Sequence, residues 1–219
     1  MGQAYKIDRL NMVTHKWQKK KMMKSLRCRY IAKSQVVNCN AQSQSFEFVN
    51  FRGAHFKNVN FKNAVFYGCD FWGTTFNGCN FQNAKFQDCV FMASKLKDCN
   101  FTGTGFSYSV IVNTNLSDCL NIDVSSGVIL YSAYPKCDMT PELETALEIL
   151  RDNRNLKKNK LLFISDTKYN QLNLFLLQNR YRNRLPALLL ELNNHSTAKI
   201  TTYKKMEREL NKLSKPAIM

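Results

Sequence analysis

Phenylalanine recurs at every fifth position through the middle of this chain, and this spacing restricts the fold more than any other feature. Of the 15 Phe in 219 residues, twelve occupy one register that starts at Phe46. Leu96, Ile111 and Leu116 fill the other register positions up to residue 116. A period of five matches neither the 3.6 residues of a helical turn nor the two-residue alternation of a strand. The repeat therefore predicts short extended segments joined by regular corners.

The residues around each Phe indicate how the chain turns. A small residue stands two places before each register position from Phe51 onward, such as Ala54 before Phe56. Residues two apart in an extended segment point the same way, so both side chains face one side. Gly, Asn or Asp stands two places after most of the Phe, and these residues tolerate turn dihedrals. We therefore expect a square coil with four short sides, whose successive turns stack by backbone hydrogen bonds.

The repeat units resemble those of a known family. Cys79-Asn80-Phe81-Gln82-Asn83 and Cys99-Asn100-Phe101-Thr102-Gly103 match the motif of the pentapeptide-repeat proteins: a small residue, Asp or Asn, Leu or Phe, and two polar residues. The resemblance covers roughly residues 36–120 and implies a mainly β fold, a right-handed quadrilateral β-helix of about four coils. It also implies no enzymatic activity, because members of the family act mainly as shaped surfaces. We accordingly expect no catalytic residue, no metal and no cofactor.

The register residues are predicted to form a dry core. Burying one Phe contributes roughly 1.5–3 kcal/mol gross, and a charge in so narrow a column should be severely destabilising. The predicted core residues are Phe51, Phe56, Phe61, Phe66, Phe71, Phe76, Phe81, Phe86, Phe91, Phe101 and Phe106.

Six of the eight cysteines share the small inward position, which favours buried free thiols over disulfides or zinc. There is no C-x-x-C pair for a metal site, and parallel inward side chains reach the disulfide dihedral poorly. Free thiols indicate a reducing compartment, and no apolar leader is present, so we expect a cytoplasmic protein. The six inward cysteines are Cys39, Cys69, Cys79, Cys89, Cys99 and Cys119.

Charge and composition divide the chain into three parts. The whole carries a net charge of +16, but residues 41–120 contain six basic against five acidic residues and are almost neutral. We predict a basic N-terminal segment at 1–33 that is flexible or caps the coil, a β-helix at 34–120 and an α-helical region at 121–219. No run of apolar residues is long enough for a membrane-spanning helix.

The C-terminal region contains helix signals. Thr140-Pro141-Glu142 has the cap, the proline and the acid typical of a helix start. Further helices are predicted from Asp166 or Thr167 to about Arg184, with Leu172, Phe175 and Leu176 buried, over Leu188–Leu192 and over Ala198–Leu213. They could cap the coil, pair two chains as a homodimer or form a small effector module, and capping or dimerisation is favoured because solenoid ends expose unpaired strand edges.

Residues twenty apart share one side of the coil, so each outward face can be listed. One side carries a modest basic stripe of His55, Lys57, Lys95 and Lys97. Another carries an apolar patch, which is covered either by the C-terminal segment or by a protein partner or second chain, with Trp72 as the anchor. The predicted partner surface comprises Arg52, Trp72, Val90, Met92, Val110 and Val112.

The basic N-terminal stretch is partly amphipathic. It is suited to an anionic membrane or nucleic acid, although such stretches are more often solvated tails. The predicted contacts to an anionic surface are Lys19, Lys20, Lys21, Lys24, Arg27 and Arg29.

These observations favour a non-catalytic interaction scaffold with an unidentified protein partner. One alternative is a secreted bacterial effector delivered into a host cell, since such effectors combine pentapeptide repeats with a short non-repeat domain. A second is a DNA mimic that engages a topoisomerase, like the quinolone-resistance branch of the family. A mimic of DNA needs an acidic surface, and the net charge of +16 disfavours it. Cys137 and His195 are the only conceivable nucleophile–base pair outside the core.

Overall fold

The computed structural model describes residues 9–15 and 17–214, which form two compact units that divide between Ala133 and Tyr134. The first unit is a parallel β-solenoid of about six turns, and helices follow it in the chain. The predicted fold class is confirmed, but the solenoid has more turns than the four that were expected.

Stacks of short parallel strands form the four sides of the solenoid, here called walls A to D. Wall A contains β1 (Asn11–Val13), β3 (Gln35–Val37), β5 (His55–Lys57), β8 (Thr75–Asn77) and β11 (Lys95–Lys97). Wall B contains β12 (Cys99–Asn100) and β15 (Cys119–Leu120), together with single bridges that link Asn40, Asn60, Asn80 and Asn100. Wall C contains β2 (Leu26–Arg27), β4 (Ser45–Glu47), β6 (Val65–Tyr67), β9 (Lys85–Gln87) and β13 (Gly105–Ser107). Wall D contains β7 (Asp70–Trp72), β10 (Val90–Met92), β14 (Ser109–Val112) and β16 (Val128–Tyr131).

The corners of the coil have one repeated backbone conformation. Every fifth residue from Cys28 to Asn113 has a positive φ, between +43° and +68°. Gly, Asn and Asp occupy most of these positions, as predicted, because they tolerate the left-handed region best. Phe48 and Tyr108 adopt the same conformation despite their bulk. The stacking of the turns therefore imposes the corner even where the local residue disfavours it.

Stacked aromatic rings fill the interior. On wall C the ring centroids of Phe46, Phe66, Phe86 and Phe106 follow one another at 5.0, 4.7 and 5.1 Å. Rings on adjacent walls meet edge to face, as Phe56 and Phe61 do at 5.5 Å. All predicted core Phe are buried except Phe106, which is partly exposed near the last turn. The core prediction is thus confirmed, with this one difference at the end of the coil.

Polar side chains satisfy the backbone groups that the corners leave without partners. On wall B each Asn of the repeat accepts a hydrogen bond from the backbone two residues ahead, for example Lys62 N to Asn60 Oδ1 at 3.1 Å. The small inward residue can donate a hydrogen bond to a backbone carbonyl, as Thr74 Oγ1 does to the Phe51 carbonyl at 2.9 Å. The Asn and the small residue of the motif therefore have separate structural functions.

The inward placement of the cysteines is confirmed. Cys39, Cys69, Cys79, Cys89 and Cys99 are buried and free, and Cys119 is partly exposed. Their thiols lie near backbone carbonyl oxygens, as Cys69 Sγ does at 3.2 Å from that of Phe46. Burial raises the pKa of the Cys69 thiol well above its usual value. These cysteines thus act as small core residues with a weak donor.

The coil extends beyond the predicted 34–120 at both ends. Strand β1 pairs with β3, and β2 with β4, so residues of the predicted N-terminal segment 1–33 form the first turn. At the other end β16 pairs with β14 and adds a strand after residue 120. Both extensions lack Phe in the register, which is why the periodicity did not reveal them. Residues 1–8 and Lys16 of the predicted segment lie outside the described residues.

The second unit is helical. It contains α1 (Pro141–Leu150), α2 (Arg154–Lys158), α3 (Gln171–Tyr181), a 3-10 turn (Arg182–Arg184), α4 (Leu185–Asn193) and α5 (Tyr203–Leu213). In the described part of the chain, every helix is too short or too polar to cross a lipid bilayer.

Four helices were predicted, and the unit contains four helices of nine or more residues, but most of their predicted bounds were wrong. Helix α1 begins where predicted, and Thr140 caps it by accepting a hydrogen bond from Leu143 N at 3.3 Å. The helix expected from Asp166 or Thr167 begins only at Gln171, because Asn170 is its N-cap. It buries Leu172, while Phe175 and Leu176 stay partly exposed. Helix α5 likewise starts at Tyr203 and not at Ala198, since Thr202 caps it.

Removing one ring from the column should be costly. We expect Phe81→Ala to lower the free energy of unfolding of the coil by about 3–5 kcal/mol, because the surrounding rings cannot collapse into the gap. Chemical denaturation followed by circular dichroism measures this loss. Gln82→Ala, on the outer side of the same turn, is the matched control and should change stability by less than about 0.5 kcal/mol. Equal stability of the two variants would contradict a packed aromatic core.

Two corner glycines provide a second test. A Cβ at Gly73 would meet nothing within 4 Å, whereas one at Gly78 would lie 2.6 Å from Asn58 Oδ1. Both have a positive φ, so Gly73→Ala should cost about 1–2 kcal/mol for the backbone alone. Gly78→Ala should cost more because Asn58 must also move. A smaller loss at Gly78 than at Gly73, measured by the same denaturation, would contradict the stacked corners.

Candidate functional site

The predicted partner surface lies on wall D, and most of it is withdrawn from solvent. Val90, Met92 and Val110 are 6 to 8% exposed, and Val112 is fully buried. One reason is β16, which pairs with β14 and places Ile129 and Tyr131 beside Val110 and Val112. Four of the six side chains predicted to contact a partner are therefore not open to solvent in this structure.

Arg52 and Trp72, the other two residues of that surface, contact each other. The Arg52 guanidinium carbon lies 3.5 Å from the centroid of the Trp72 ring, a cation–π contact. Burial lowers the pKa of Arg52, and the neighbouring Tyr30 and Asp70 oppose that shift. Burial also disfavours the charged form of Tyr30 and so raises its pKa. Trp72 is thus engaged within its own wall.

Wall A presents the basic stripe in the open. His55, Lys57, Lys95 and Lys97 are all exposed and flank the inward residues Phe56 and Leu96. His55 and Lys95 are both partners of Thr75, and Lys57 and Lys97 are both partners of Asn77. At about 4.8 Å between strands and 3.4 Å between residues, the four side chains leave the backbone at the corners of a rectangle of about 7 by 10 Å. These four residues are called the basic strip below.

No carboxylate of the described residues forms an ion pair with the basic strip. Among the described residues, Lys57, Lys95 and Lys97 take part in no ion pair, and the outward positions of wall A from β1 to β11 contain no acid. Elsewhere on the coil a basic residue can be neutralised, as Arg27 is by Glu47 on wall C at 3.1 Å. In the described structure the three lysines of the strip therefore have no ion-pair partner and keep a fixed spacing.

The residues predicted to contact an anionic surface do not form one patch. Arg27 lies on wall C of the first turn, where it forms an ion pair with Glu47, and Arg29 comes two residues later in the chain. Lys19, Lys20, Lys21 and Lys24 are exposed and adjoin an irregular loop in the first turn. The structure thus brings four of the six predicted residues into one part of the coil.

Cys137 and His195 are not brought together by any contact. The Cys137 thiol is buried and lies 3.3 Å from Gln178 Oε1, whereas His195 is exposed. Burial, together with nearby Asp138, raises the pKa of Cys137 to about 11. A thiol with such a pKa is a poor nucleophile at neutral pH. In the described ranges, His, Cys, Asp and Glu form no group that could hold a metal ion.

The helical unit contains a polar cluster that the sequence did not reveal. Glu148 accepts hydrogen bonds from Arg151 Nε and from the Tyr169 hydroxyl, both at 2.8 Å. The Arg151 guanidinium also lies over the Phe163 and Tyr169 rings, at 5.1 and 5.3 Å from their centroids. Arg151 first, and then Tyr169, lower the pKa of Glu148 to about 2. The cluster joins α1 to the segment before α3 through hydrogen bonds among its own side chains, so we assign it to stability.

Comparisons with known proteins agree with this architecture. Walls built from a five-residue repeat define a quadrilateral parallel β-solenoid, and the family model of the pentapeptide repeat region matches residues 39–116. Residues 39–116 are therefore a pentapeptide repeat region. A comparison with curated proteins gave no match.

Several solved structures are similar to the chain. A pentapeptide repeat protein from the thylakoid lumen of Arabidopsis thaliana is 18% identical, with 71% of this chain and 89% of that chain covered and a TM-score of 0.40. HetL, a pentapeptide repeat protein from the cyanobacterium Nostoc sp. involved in heterocyst differentiation regulation, is 12% identical over 57% of this chain and 54% of its own, with a TM-score of 0.39. Full-length QnrB1, a plasmid-mediated fluoroquinolone resistance protein, is 13% identical over 64% and 96%, with a TM-score of 0.19. At these values the likenesses support no conclusion about function.

The Glu148 cluster predicts how acid affects the helical unit. The folded pKa of Glu148 is about 2 and its ordinary value is 4.5, so its stabilising contribution is complete above pH 4.5 and disappears as pH falls towards 2. Glu148→Gln should therefore destabilise the helical unit at neutral pH and flatten its stability profile in that acidic window. Thermal unfolding measured across this pH range tests the prediction.

Glu144→Gln is the matched control for that measurement. Glu144 lies on the same helix and makes no side-chain ion pair among the described residues. An acid profile of Glu148→Gln that equals the profile of Glu144→Gln would contradict the role of the cluster.

Proposed function

We propose that this protein is a non-catalytic interaction scaffold whose coil binds an acidic, extended segment of a protein partner through the basic strip. The observation that carries the proposal is the unpaired positive charge of Lys57, Lys95 and Lys97 on a rigid wall. The Phe column beneath holds the strands in place, so the charges have a fixed spacing before any partner arrives. Such pre-organisation reduces the entropy lost on binding.

The spacing of the strip indicates the form of the partner. Lys95 and Lys97 are two residues apart on one strand, about 7 Å, which is also the distance between alternate side chains of an extended chain. A segment with acidic residues at alternate positions can therefore place carboxylates opposite both lysines. Each exposed ion pair contributes only about 0.2–1 kcal/mol, so the proposed complex is weak and sensitive to salt.

Two observations support an interaction role over catalysis or DNA mimicry. Cys137, the one nucleophile considered outside the core, has a raised pKa and is hydrogen-bonded away from His195. The net charge of +16 is opposite in sign to that of DNA, so the protein would compete poorly for a basic groove. We place this role in a reducing compartment, because the inward cysteines are free thiols.

Charge reversal on the strip tests the proposal. We expect Lys57→Glu/Lys95→Glu/Lys97→Glu to weaken binding of a fluorescent peptide with Glu at alternate positions by about tenfold or more, because three attractions become repulsions. Fluorescence anisotropy at two salt concentrations measures the affinity, and binding by the wild type should weaken as salt rises.

The control variant changes the total charge by the same amount. Lys33→Glu/Lys62→Glu/Lys85→Glu reverses lysines that lie outside the strip, at a corner and on walls B and C. It should retain affinity within about threefold, since only long-range electrostatics change. Equal losses in the two triple variants would show that net charge alone attracts the peptide, and the strip would then not be the site.

A further inference from the structure

The first turn of the coil contains a loop that the later turns lack. Ten positions separate Met12 from Met22, whereas only four separate their partners in the next turn, Val36 and Asn40. The extra residues lie between walls A and B, and those that the structure describes there, 14–15 and 17–21, are called the first-turn loop. The insertion lengthens the first turn, since Met12 pairs with Val36 at a distance of 24 positions, whereas Phe56 pairs with Phe76 at 20.

The base of the first-turn loop is fixed to the coil. Thr14 is buried, and its backbone N–H donates to the Val37 carbonyl at 3.0 Å. Its hydroxyl accepts a hydrogen bond from Lys21 N at 3.1 Å, which closes the loop. Asn38 Nδ2 adds a hydrogen bond to the Thr14 carbonyl at 2.9 Å. Thr14 and Lys21 thus fix the two ends of the loop to each other and to the coil.

The tip combines an exposed aromatic ring with exposed lysines. Trp17 is 91% exposed, the most exposed large apolar side chain among the described residues. Lys19, Lys20 and Lys21 follow it and are exposed. The same pattern continues onto wall B, where Met22 is 50% exposed and Lys24 points outward beside it.

No negative charge lies nearby in the chain. Between Asp8 and Glu47 the sequence contains no acidic residue. Among the described residues, Lys19, Lys20, Lys21 and Lys24 form no ion pair. The loop and the adjoining start of wall B are therefore a local concentration of positive charge around Trp17 and Met22.

We propose that the first-turn loop docks the protein onto an anionic phospholipid surface, with Trp17 in the headgroup region and the lysines on the lipid phosphates and carboxylates. Trp is the side chain that favours the membrane–water interface most, because its ring is apolar and its N–H can still donate. Lysines add an attraction to anionic lipids of about fivefold in affinity each. This inference is independent of the basic strip.

The composition of the loop favours a lipid surface over a single-stranded nucleic acid. Strand-binding surfaces stack successive bases on several aromatic side chains. Trp17 is the one exposed Phe, Tyr or Trp in the described part of the first turn, since Tyr30 is buried. Met22 offers no ring for stacking, but its apolar thioether suits the interface. The lysines are point charges without the planar fork that arginine offers to a phosphate.

Vesicle flotation with the full chain tests the proposal. The probes are phosphatidylcholine vesicles with and without phosphatidylserine. We expect binding only to the vesicles with phosphatidylserine, about tenfold weaker binding for Trp17→Ala, and about a hundredfold weaker binding for Lys19→Gln/Lys20→Gln/Lys21→Gln. Both variants alter exposed side chains, so the coil should stay folded.

Matched controls separate the loop from general charge and general aromaticity. Lys33→Gln/Lys62→Gln/Lys85→Gln removes the same charge from lysines outside the first-turn loop and the basic strip, and Tyr108→Ala removes another exposed ring, 78% exposed at a distant corner. Both should bind vesicles within about threefold of the wild type. Equal losses for these controls, unchanged binding of Trp17→Ala, or equal binding to pure phosphatidylcholine would each overturn the proposal. So would a loop variant that loses single-stranded RNA binding while its vesicle binding stays unchanged.

Discussion

Burial of stacked phenylalanine rings is the interaction on which the coil depends. Each full turn in the middle of the solenoid places four apolar residues in an interior too narrow for water, and each ring lies about 5 Å from the ring of the next turn. Hydrogen-bonded strands of successive turns lie at nearly the same distance from each other, so ring stacking and strand pairing reinforce each other. Because each turn contacts only its neighbours, stability accumulates turn by turn.

Because the interior rings stabilise the coil, the outward side chains of the four walls can differ. Inward positions hold Phe, a few aliphatic residues and small residues, while outward positions range from the basic strip of wall A to the buried aliphatic residues of wall D. A rigid interior therefore gives outward side chains a fixed spacing without requiring any particular chemistry from them. The two proposed surfaces use this property in different ways. The basic strip relies on regular strand spacing, and the first-turn loop relies on an interruption of it.

The helical unit is organised by side-chain amides and charges as much as by apolar packing. Asn159 Nδ2 donates to the Ile200 carbonyl at 2.7 Å, and Asn173 Nδ2 donates to the Leu161 carbonyl at 2.9 Å. These bonds order the irregular segments that lie between the helices. They join residues that are far apart in the sequence, and no periodic sequence pattern predicts them. This explains why the starts of α3 and α5 were predicted several residues too early and why α2 was not predicted.

The sequence by itself determined the coil, because the five-residue period places the register Phe on the inside and a turn residue at each corner. It also determined the corner positions, the inward cysteines and the exposed basic strip, since each follows from the register. Only the tertiary structure decided the first turn, where Met12 and Met22 break the register, and the last, where β16 covers an edge. It alone showed that Val112 is buried and that Trp17 is exposed, because exposure depends on what packs nearby and not on a residue's place in a repeat.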